Sequence, residues 1–436
     1  MTPNPQQDFV LKTIKSRDVH FVRFWFTDVM GNVKSFAVIP GELDNAFADG
    51  MGFDGSCIEG FALEKESDML AFPDASTFQV LPWRPASNAV ARMFCDIRKP
   101  DGTPFEGDPR HVLARTVQRA ADMGYIFNVG PELEYYYFKD ANGTEVLDTG
   151  GYFDLTTLDS ASDLRRDTVL TLEKMGIPVE YSHHELGPSQ HEIDLRYDEA
   201  LSMADAVMTY KMVVKEIAIQ HGVHATFMPK PMSDAVGSAM HVHQSLFDFD
   251  GRNVFFDPKD PEGCGLSSIA KSYIAGLLKY APEFSLVTNQ TVNSYKRLTG
   301  DEKAPIRLSW ARTDRTSLVR VPGYRPNREG ACRVELRSPD PAANPYLAFS
   351  VMLAAGLAGI EEGLTLSASA DSSDQKVGTL PQTLGEAIEL FEGSDLMRKT
   401  LGGHIHSYLV KAKREEWMDY RSCVSQWERD RYLAVL

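Results

Sequence analysis

Cysteine is scarce in this chain. Five of its 436 residues are cysteine (57, 95, 264, 332 and 423), and no two stand in CxxC spacing. Such scattered, odd-numbered thiols form neither a disulfide framework nor a zinc ribbon and lead us to expect a cytoplasmic protein. Long apolar runs are missing too: none reaches the roughly 20 residues of a membrane span. The opening "MTPNPQQDFV" likewise lacks a signal-peptide core. Positive charge is in deficit, with 45 Lys and Arg against 61 Asp and Glu and a net charge of −16. A nucleic-acid backbone needs a basic footprint, so neither nucleic acid nor a membrane is expected as a partner. No Walker A loop exists, because "GCGLSSIAKS" (263–272) puts alanine where the second glycine belongs. Any nucleotide has to be held by metals and side chains. Internal repeats and low-complexity tracts are absent; the most disorder-prone stretch, "LSASADSSDQK", reads as a short surface loop.

What is present reads as a globular protein of two domains, with 43% hydrophobic and 24% charged residues. Residues 6–16 form a short helix, and "FVRFWFTD" (21–28) and "ARMFCDI" (91–97) are strands rich in aromatic and β-branched residues. The Pro-, Gly- and Asp-rich segment 98–110 marks a boundary near 105, dividing the chain into 1–105 and 106–436. Beyond it, an amphipathic helix ends at Gly124, and others are predicted over 160–176, 199–221, 266–283, 345–362 and 383–401. Short strands between them make the larger domain α+β.

Those strands carry an unusual face. Glu132, Glu134 and Tyr136 alternate with Leu133, Tyr135 and Tyr137; His241, His243 and Ser245 alternate with Val242, Gln244 and Leu246. Arg333, Glu335 and Arg337 oppose Val334 and Leu336. In "YSHHELGPSQHEIDLR" (181–196), Gly187-Pro188 forces a turn, Glu185 precedes it, and Glu192 stands on the polar side of the strand that follows. A merely solvated face carries lysine, and none occurs in these segments. Glu, His and Arg at period two predict a sheet curved around a charged pocket.

Glu132 and Glu134 lie two residues apart on one strand, which separates their stems by about 6–7 Å and suits two neighbouring ions. Carboxylates with one histidine favour Mg²⁺ or Mn²⁺ over zinc. Arginines 297, 315, 320, 333 and 337 crowd the same half of an acidic chain, and arginine forks recognise phosphate and carboxylate. Divalent metals and arginines together point to phosphoryl transfer.

The motifs "FDGSCIEGF", "ESDML", "GPELEYYYF", "SHHELGPSQHEID", "FMPKP", "GSAMHVHQSL", "NSYKRL" and "RVELRSPDPAANPYL" resemble the glutamine synthetase family in order and spacing, from about residue 7 onward. The resemblance is to the short bacterial class I branch. It implies a small N-terminal β-grasp domain and a large catalytic domain whose curved antiparallel sheet is flanked by helices. It also implies a dodecamer of two stacked hexameric rings with active sites shared between subunits. By the same resemblance, Glu134, Glu185 and Glu192 match the ligands of one metal, and Glu132, His241 and Glu335 those of the other, with His184 packing beside them. Glu180, His243 and Ser245 match ATP-holding positions, and Arg315, Arg320 and Arg333 those that neutralise its phosphates. Gly237, Arg297 and Arg337 match glutamate-binding positions, Arg337 reaching the transferred phosphoryl as well. Asp54, from the neighbouring subunit, matches the base that deprotonates the amine, in a pocket with Tyr152, Cys57 and Lys303.

The activity so implied joins L-glutamate to ammonia through γ-glutamyl phosphate, with an organic amine as the alternative acceptor. The chain departs from the family pattern at Cys57 (serine expected), Val236 (asparagine), Lys303 in the flap (glutamate, with Glu302 one place earlier) and Leu63 (the arginine of glutamine feedback in some members). Longer members carry a modifiable tyrosine in the region matching 364–384, and none occurs there. A metal-dependent hydrolase would not need five arginines. A non-catalytic relative would have lost metal ligands, yet all six positions hold Glu or His.

Overall fold

The computed structural model describes residues 4–62, 67–261, 263–299, 304–372 and 376–436. Helix α1 (Pro5–Ser16) opens with proline after Asn4, whose side chain accepts from the Gln6 N–H. A six-stranded sheet follows, built from β1 (Val19–Thr27), β2 (Val33–Val38), β3 (Met51–Asp54), β4 (Asp68–Pro73), β5 (Gln79–Val80) and β6 (Ala89–Arg98), with α2 (Leu43–Asp49) between β2 and β3. The order is β2-β1-β6-β4-β3, with β5 also on β6; β1 and β6 run parallel and the other pairs antiparallel. This is the β-grasp arrangement. Both sheet faces are buried, which explains the aromatic richness of β1. Val22, Phe24 and Phe26 join Val10 and Ile14 of α1 in a small core, while Trp25 points the other way and meets Phe94 edge-on in the larger core of the second domain.

The second domain begins with α3 (Pro109–Asp122), capped by the Asp108 side chain. Arg110 in its first turn is buried and pairs with Asp74 (2.8 Å) and Asp96 (2.5 Å) of the small domain and with Asp205 (3.0 Å) of the large one. Next come β7 (Ile126–Phe138), α4 (Ser162–Lys174), β8 (Val179–His184), β9 (Gln190–Leu195), β10 (Asp198–Glu199), α5 (Ala200–Gln220), β11 (His224–Thr226), β12 (Met240–Phe247), α6 (Ser268–Thr288), α7 (Val292–Thr299), β13 (Arg307–Ala311), β14 (Ser317–Arg320) and β15 (Val334–Leu336). The strands form one nine-stranded sheet, β13-β14-β15-β12-β7-β9-β8, with β10 and β11 also paired to β7; only β13 and β14 run parallel. Four helices close the chain: α8 (Pro345–Glu361), α9 (Leu384–Glu392), α10 (Asp395–Ser422) and α11 (Gln426–Tyr432). Helix α8 is apolar all round and almost wholly buried, as a central core helix must be.

The single helix expected over 383–401 is two. Helix α9 stops at Gly393, and the Ser394 hydroxyl then caps α10 by accepting from the Met397 N–H at 3.2 Å. No helix of the described residues is long and apolar enough to cross a membrane.

Candidate active site

Cross-strand register assembles the charged face in three rows. Arg320 on β14 pairs with Glu335 on β15, which pairs with His243 on β12, which faces Gly130 on β7. The second row runs His241, Glu132, Asp194 and Tyr181 across β12, β7, β9 and β8. The third runs Glu134, Glu192 and His183 across β7, β9 and β8. Directly opposed residues share a face of an antiparallel sheet, so side chains from distant parts of the sequence converge.

Two adjoining cavities lie along these rows. The inner, of about 370 Å³, is lined by the metal-ligand candidates Glu132, Glu134, Glu185, Glu192, His241 and Glu335. Tyr152, Gly237, Arg297, Arg315, Arg320 and Arg337 line it as well. The outer, of about 270 Å³, is lined by Glu180, His243, Ser245 and Arg333 and shares Glu132 and Tyr181 with the inner. Asp54 stands on β3 with Cys57 nearby in the loop that follows; both are exposed and line neither cavity of their own chain. Lys303, Glu302 and Leu63 lie outside the described residues.

Among the described residues, two compact ligand sets face the inner cavity: Glu132–His241–Glu335 and His183–Glu185–Glu192. The first coincides with the set expected for one metal. In the second, His183 completes the cluster, its Nε2 2.9 Å from Glu185 Oε1 and 3.8 Å from Glu192 Oε2. Glu134 lies in the same cavity, but its Oε2 accepts from the Ala239 N–H (2.9 Å) and from Gln190 Nε2 (3.1 Å). His183 and Gln190 were not singled out from the sequence. His184 sits behind the cluster, bonded to Asp148 at 3.0 Å and to the Glu185 carbonyl at 2.7 Å.

The arginines divide by partner. Arg320 (2.9 Å) and Arg337 both pair with Glu335. Arg333 Nε lies 3.2 Å from His243 Nδ1, and His243 Nε2 lies 2.7 Å from Glu132 Oε1. Arg297 is buried and donates to the carbonyls of Ser338 (2.6 Å), Pro339 (3.1 Å) and Arg337 (3.1 Å). It forms no direct ion pair with a described residue, although the Asp340 and Glu134 carboxyls favour its charge, and it lines the inner cavity. Gly237 packs against it: a Cβ there would come within 2.7 Å of both Arg297 Cγ and the Pro229 carbonyl.

The chain matches the family model described as "Glutamine synthetase, catalytic domain" over residues 106–432, and "Glutamine synthetase, beta-Grasp domain" over 18–100. The chain belongs to the glutamine synthetase family. The glutamine synthetase of Mycolicibacterium smegmatis is 50% identical over 446 aligned positions, covering 99% of each chain. That of Methanosarcina mazei is 49% identical over 441, covering 98% of this chain and 97% of the relative. The solved structure named "GmaS/ADP complex-Conformation 1" is similar at TM-score 0.89 and 30% identity, covering 97% of this chain and 99% of that one.

Glutamine synthetases are ligases that use ATP and divalent metals, and the donors here fit hard cations. Burial, and then the charge of Glu185, push the Glu134 carboxyl up to about 8. Burial pushes Glu192 well up, and with it Asp194 to about 6. Of these, Glu134 at about 8 holds a proton at pH 7 that a divalent cation must displace, while Glu185 and Glu335 are shifted down. Mn²⁺ binding at pH 7 is therefore expected to release protons. Because the Glu134 value is raised, the release fades as pH rises through about 8, and apparent affinity climbs over the same range. Calorimetry in buffers of different ionisation enthalpy measures it. A heat independent of buffer would show these carboxyls ionised before the metal arrives.

Proposed function

We propose that this chain condenses L-glutamate with ammonia, driven by ATP, through a γ-glutamyl phosphate. The observation that carries this reading is the Arg297 guanidinium, held by three carbonyls beside the two ligand clusters. It is an anchor for a substrate carboxylate in the cavity that the metal-binding groups also line. In this reading Gly237, Arg297 and Arg337 hold glutamate. Glu180, His243, Ser245 and Arg333 hold ATP in the outer cavity; the similar structure named as a GmaS/ADP complex supports nucleotide binding in general. Glu132, His241 and Glu335 would hold one Mg²⁺ or Mn²⁺, and Glu134, Glu185 and Glu192, with His183, a second. Once bound, such ions offset the repulsion between the γ-carboxylate and the terminal phosphate.

The γ-carboxylate oxygen attacks the terminal phosphorus, and ADP leaves with the bonding electron pair. Arg315, Arg320 and Arg337 neutralise the transferring phosphoryl. Asp54 of the neighbouring subunit takes a proton from ammonium, and ammonia displaces phosphate from the acyl carbon. A dodecamer of two hexameric rings, working in the cytoplasm, supplies that neighbour.

Ammonia is preferred because the relatives at about half identity over their full length are glutamine synthetases. A second reading, γ-glutamylation of an organic amine, draws on Val236, which puts an apolar side chain on the inner cavity wall, and on Lys303 in the flap. A lysine in place of glutamate, at about 5 Å and an effective dielectric of about 20, opposes a cation by roughly 3 kcal/mol per unit charge. The test compares kcat/KM for ammonium, methylamine, ethanolamine and putrescine, repeated with Lys303→Glu. Ammonium is expected to lead, with little gain from the substitution. Turnover of an organic amine with negligible use of ammonium would overturn this choice.

A further inference from the structure

The disorder-prone stretch of the sequence is pinned to the edge of the large sheet. Ala370 donates its N–H to the Trp310 carbonyl at 3.0 Å, and Trp310 Nε1 donates to the Ser367 carbonyl at 2.8 Å. Past the undescribed residues 373–375, Leu308 N–H reaches the Gly378 carbonyl at 2.9 Å. The described segments on either side of 373–375 thus lie beside β13, and the first delivers Asp371 onto the turn that follows it. There the carboxylate accepts the backbone N–H groups of Arg312 (2.6 Å), Thr313 (3.1 Å) and Asp314 (3.0 Å). The Thr313 and Ser369 hydroxyls donate to it as well. Three successive N–H groups converging on one anion make a nest.

Asp314 completes the turn from inside, accepting the Thr316 N–H (2.9 Å) and hydroxyl (2.8 Å). Arg315, the residue after Asp314 in this turn, lines the inner cavity. It is exposed and has no ion-pair partner among the described residues, so the backbone of this turn is what fixes the point from which its side chain reaches the cavity.

We propose that Asp371 is a positioning residue for phosphoryl transfer: by filling the nest at 312–314 it sets the backbone from which Arg315 reaches the inner cavity. This rests on the reading of Arg315 as a phosphoryl-facing arginine. Partial burial pushes the Asp371 carboxyl up, but the donors from Thr313, Arg312 and Asp314 outweigh it and hold it at about 2, so the nest stays filled by a charge at working pH. Removing the side chain lets water take the three N–H groups in an exposed turn. The fold survives while the turn loosens, and a phosphoryl-facing group displaced by about 1 Å costs up to about 100-fold in rate.

The test uses the full-length protein. Asp371→Ala is expected to lower kcat for glutamate-dependent ADP formation about 10- to 100-fold with KM for glutamate unchanged. Asp371→Asn, which keeps a carbonyl acceptor, should recover much of the loss. Hydrogen exchange should quicken at the amides of 312–314 and not elsewhere. In an Arg315→Ala background, Asp371→Ala should cost nothing further, because the two act as one unit. Normal rates for Asp371→Ala beside an impaired Arg315→Ala, or losses that multiply in the double variant, would overturn the proposal. Full activity of Arg315→Ala would instead overturn the role given to Arg315; the exchange readout, which does not depend on that role, tells the two failures apart.

Discussion

Glu335→Ala is expected to lower glutamate-dependent ADP formation by about 10³-fold, which corresponds to about 4 kcal/mol. Glu335 is 1% exposed and stands between Arg320, Arg337 and His241. Its removal takes away one candidate ligand and also leaves two arginines without their counterion. Each then opposes an incoming cation by about 4 kcal/mol per unit charge at 4 Å and an effective dielectric of about 20. Glu335→Gln keeps the volume and loses the charge, so it should fail nearly as badly; this separates electrostatics from packing. Glu134→Ala should also abolish phosphoryl transfer, since Glu134 lines the cavity from the sheet's polar face. Gel filtration should show both variants assembled as the parent is, and calorimetry should show weakened Mn²⁺ binding. Near-normal ADP production by either variant would remove the two-metal assignment.

Much of the site was legible because the side-chain period of a strand is two. Glu132, Glu134, His241, His243, Glu335 and Arg337 were placed on charged faces by alternation alone, and the inner and outer cavities gather them. What alternation within one strand cannot show is which residue stands opposite. His183 escaped notice because it reads as one of two adjacent histidines; only the β8–β9 register, His183 against Glu192, sends it toward the cavity and His184 into the buried opposite face. That signal was available, since a short turn between Glu185 and Gln190 sets the pairing of the hairpin. Gln190 shares a face with Glu192 and stands opposite Tyr136, diagonal to Glu134, which its amide reaches; only its contact with the Gly237 carbonyl is set by packing beyond the strand pair. Asp371 was hidden by composition, because a polar, serine-rich stretch reads as loop whether or not it is anchored. The break between α9 and α10 was legible in Gly393-Ser394, where a stop and a hydroxyl cap stand side by side.

The second large effect concerns substrate capture. Arg297→Gln is expected to raise KM for glutamate by about 10²- to 10³-fold, the loss of about 3–4 kcal/mol when a buried, charge-assisted carboxylate contact is truncated. Arg297 is 8% exposed as a residue and its guanidinium is held by three carbonyls, so it meets a ligand carboxylate with little side-chain entropy left to lose. Glutamine keeps the polar, uncharged part of the site but is too short to reach those carbonyls, so some loosening of segment 337–339 is expected. A thermal unfolding midpoint near that of the parent would show that the fold is kept. Arg297→Lys restores the charge without the planar fork and should recover only part of the affinity. Gly237→Ala probes the same anchor from its other side: the added Cβ meets Arg297 Cγ and the Pro229 carbonyl at 2.7 Å, so the arginine has to shift. It should raise KM for glutamate while leaving KM for ATP unchanged, because Gly237 lines only the inner cavity. If Arg297→Gln instead raised KM for ATP and spared glutamate, the carboxylate anchor would lie elsewhere, and Arg337 would be the next residue to change.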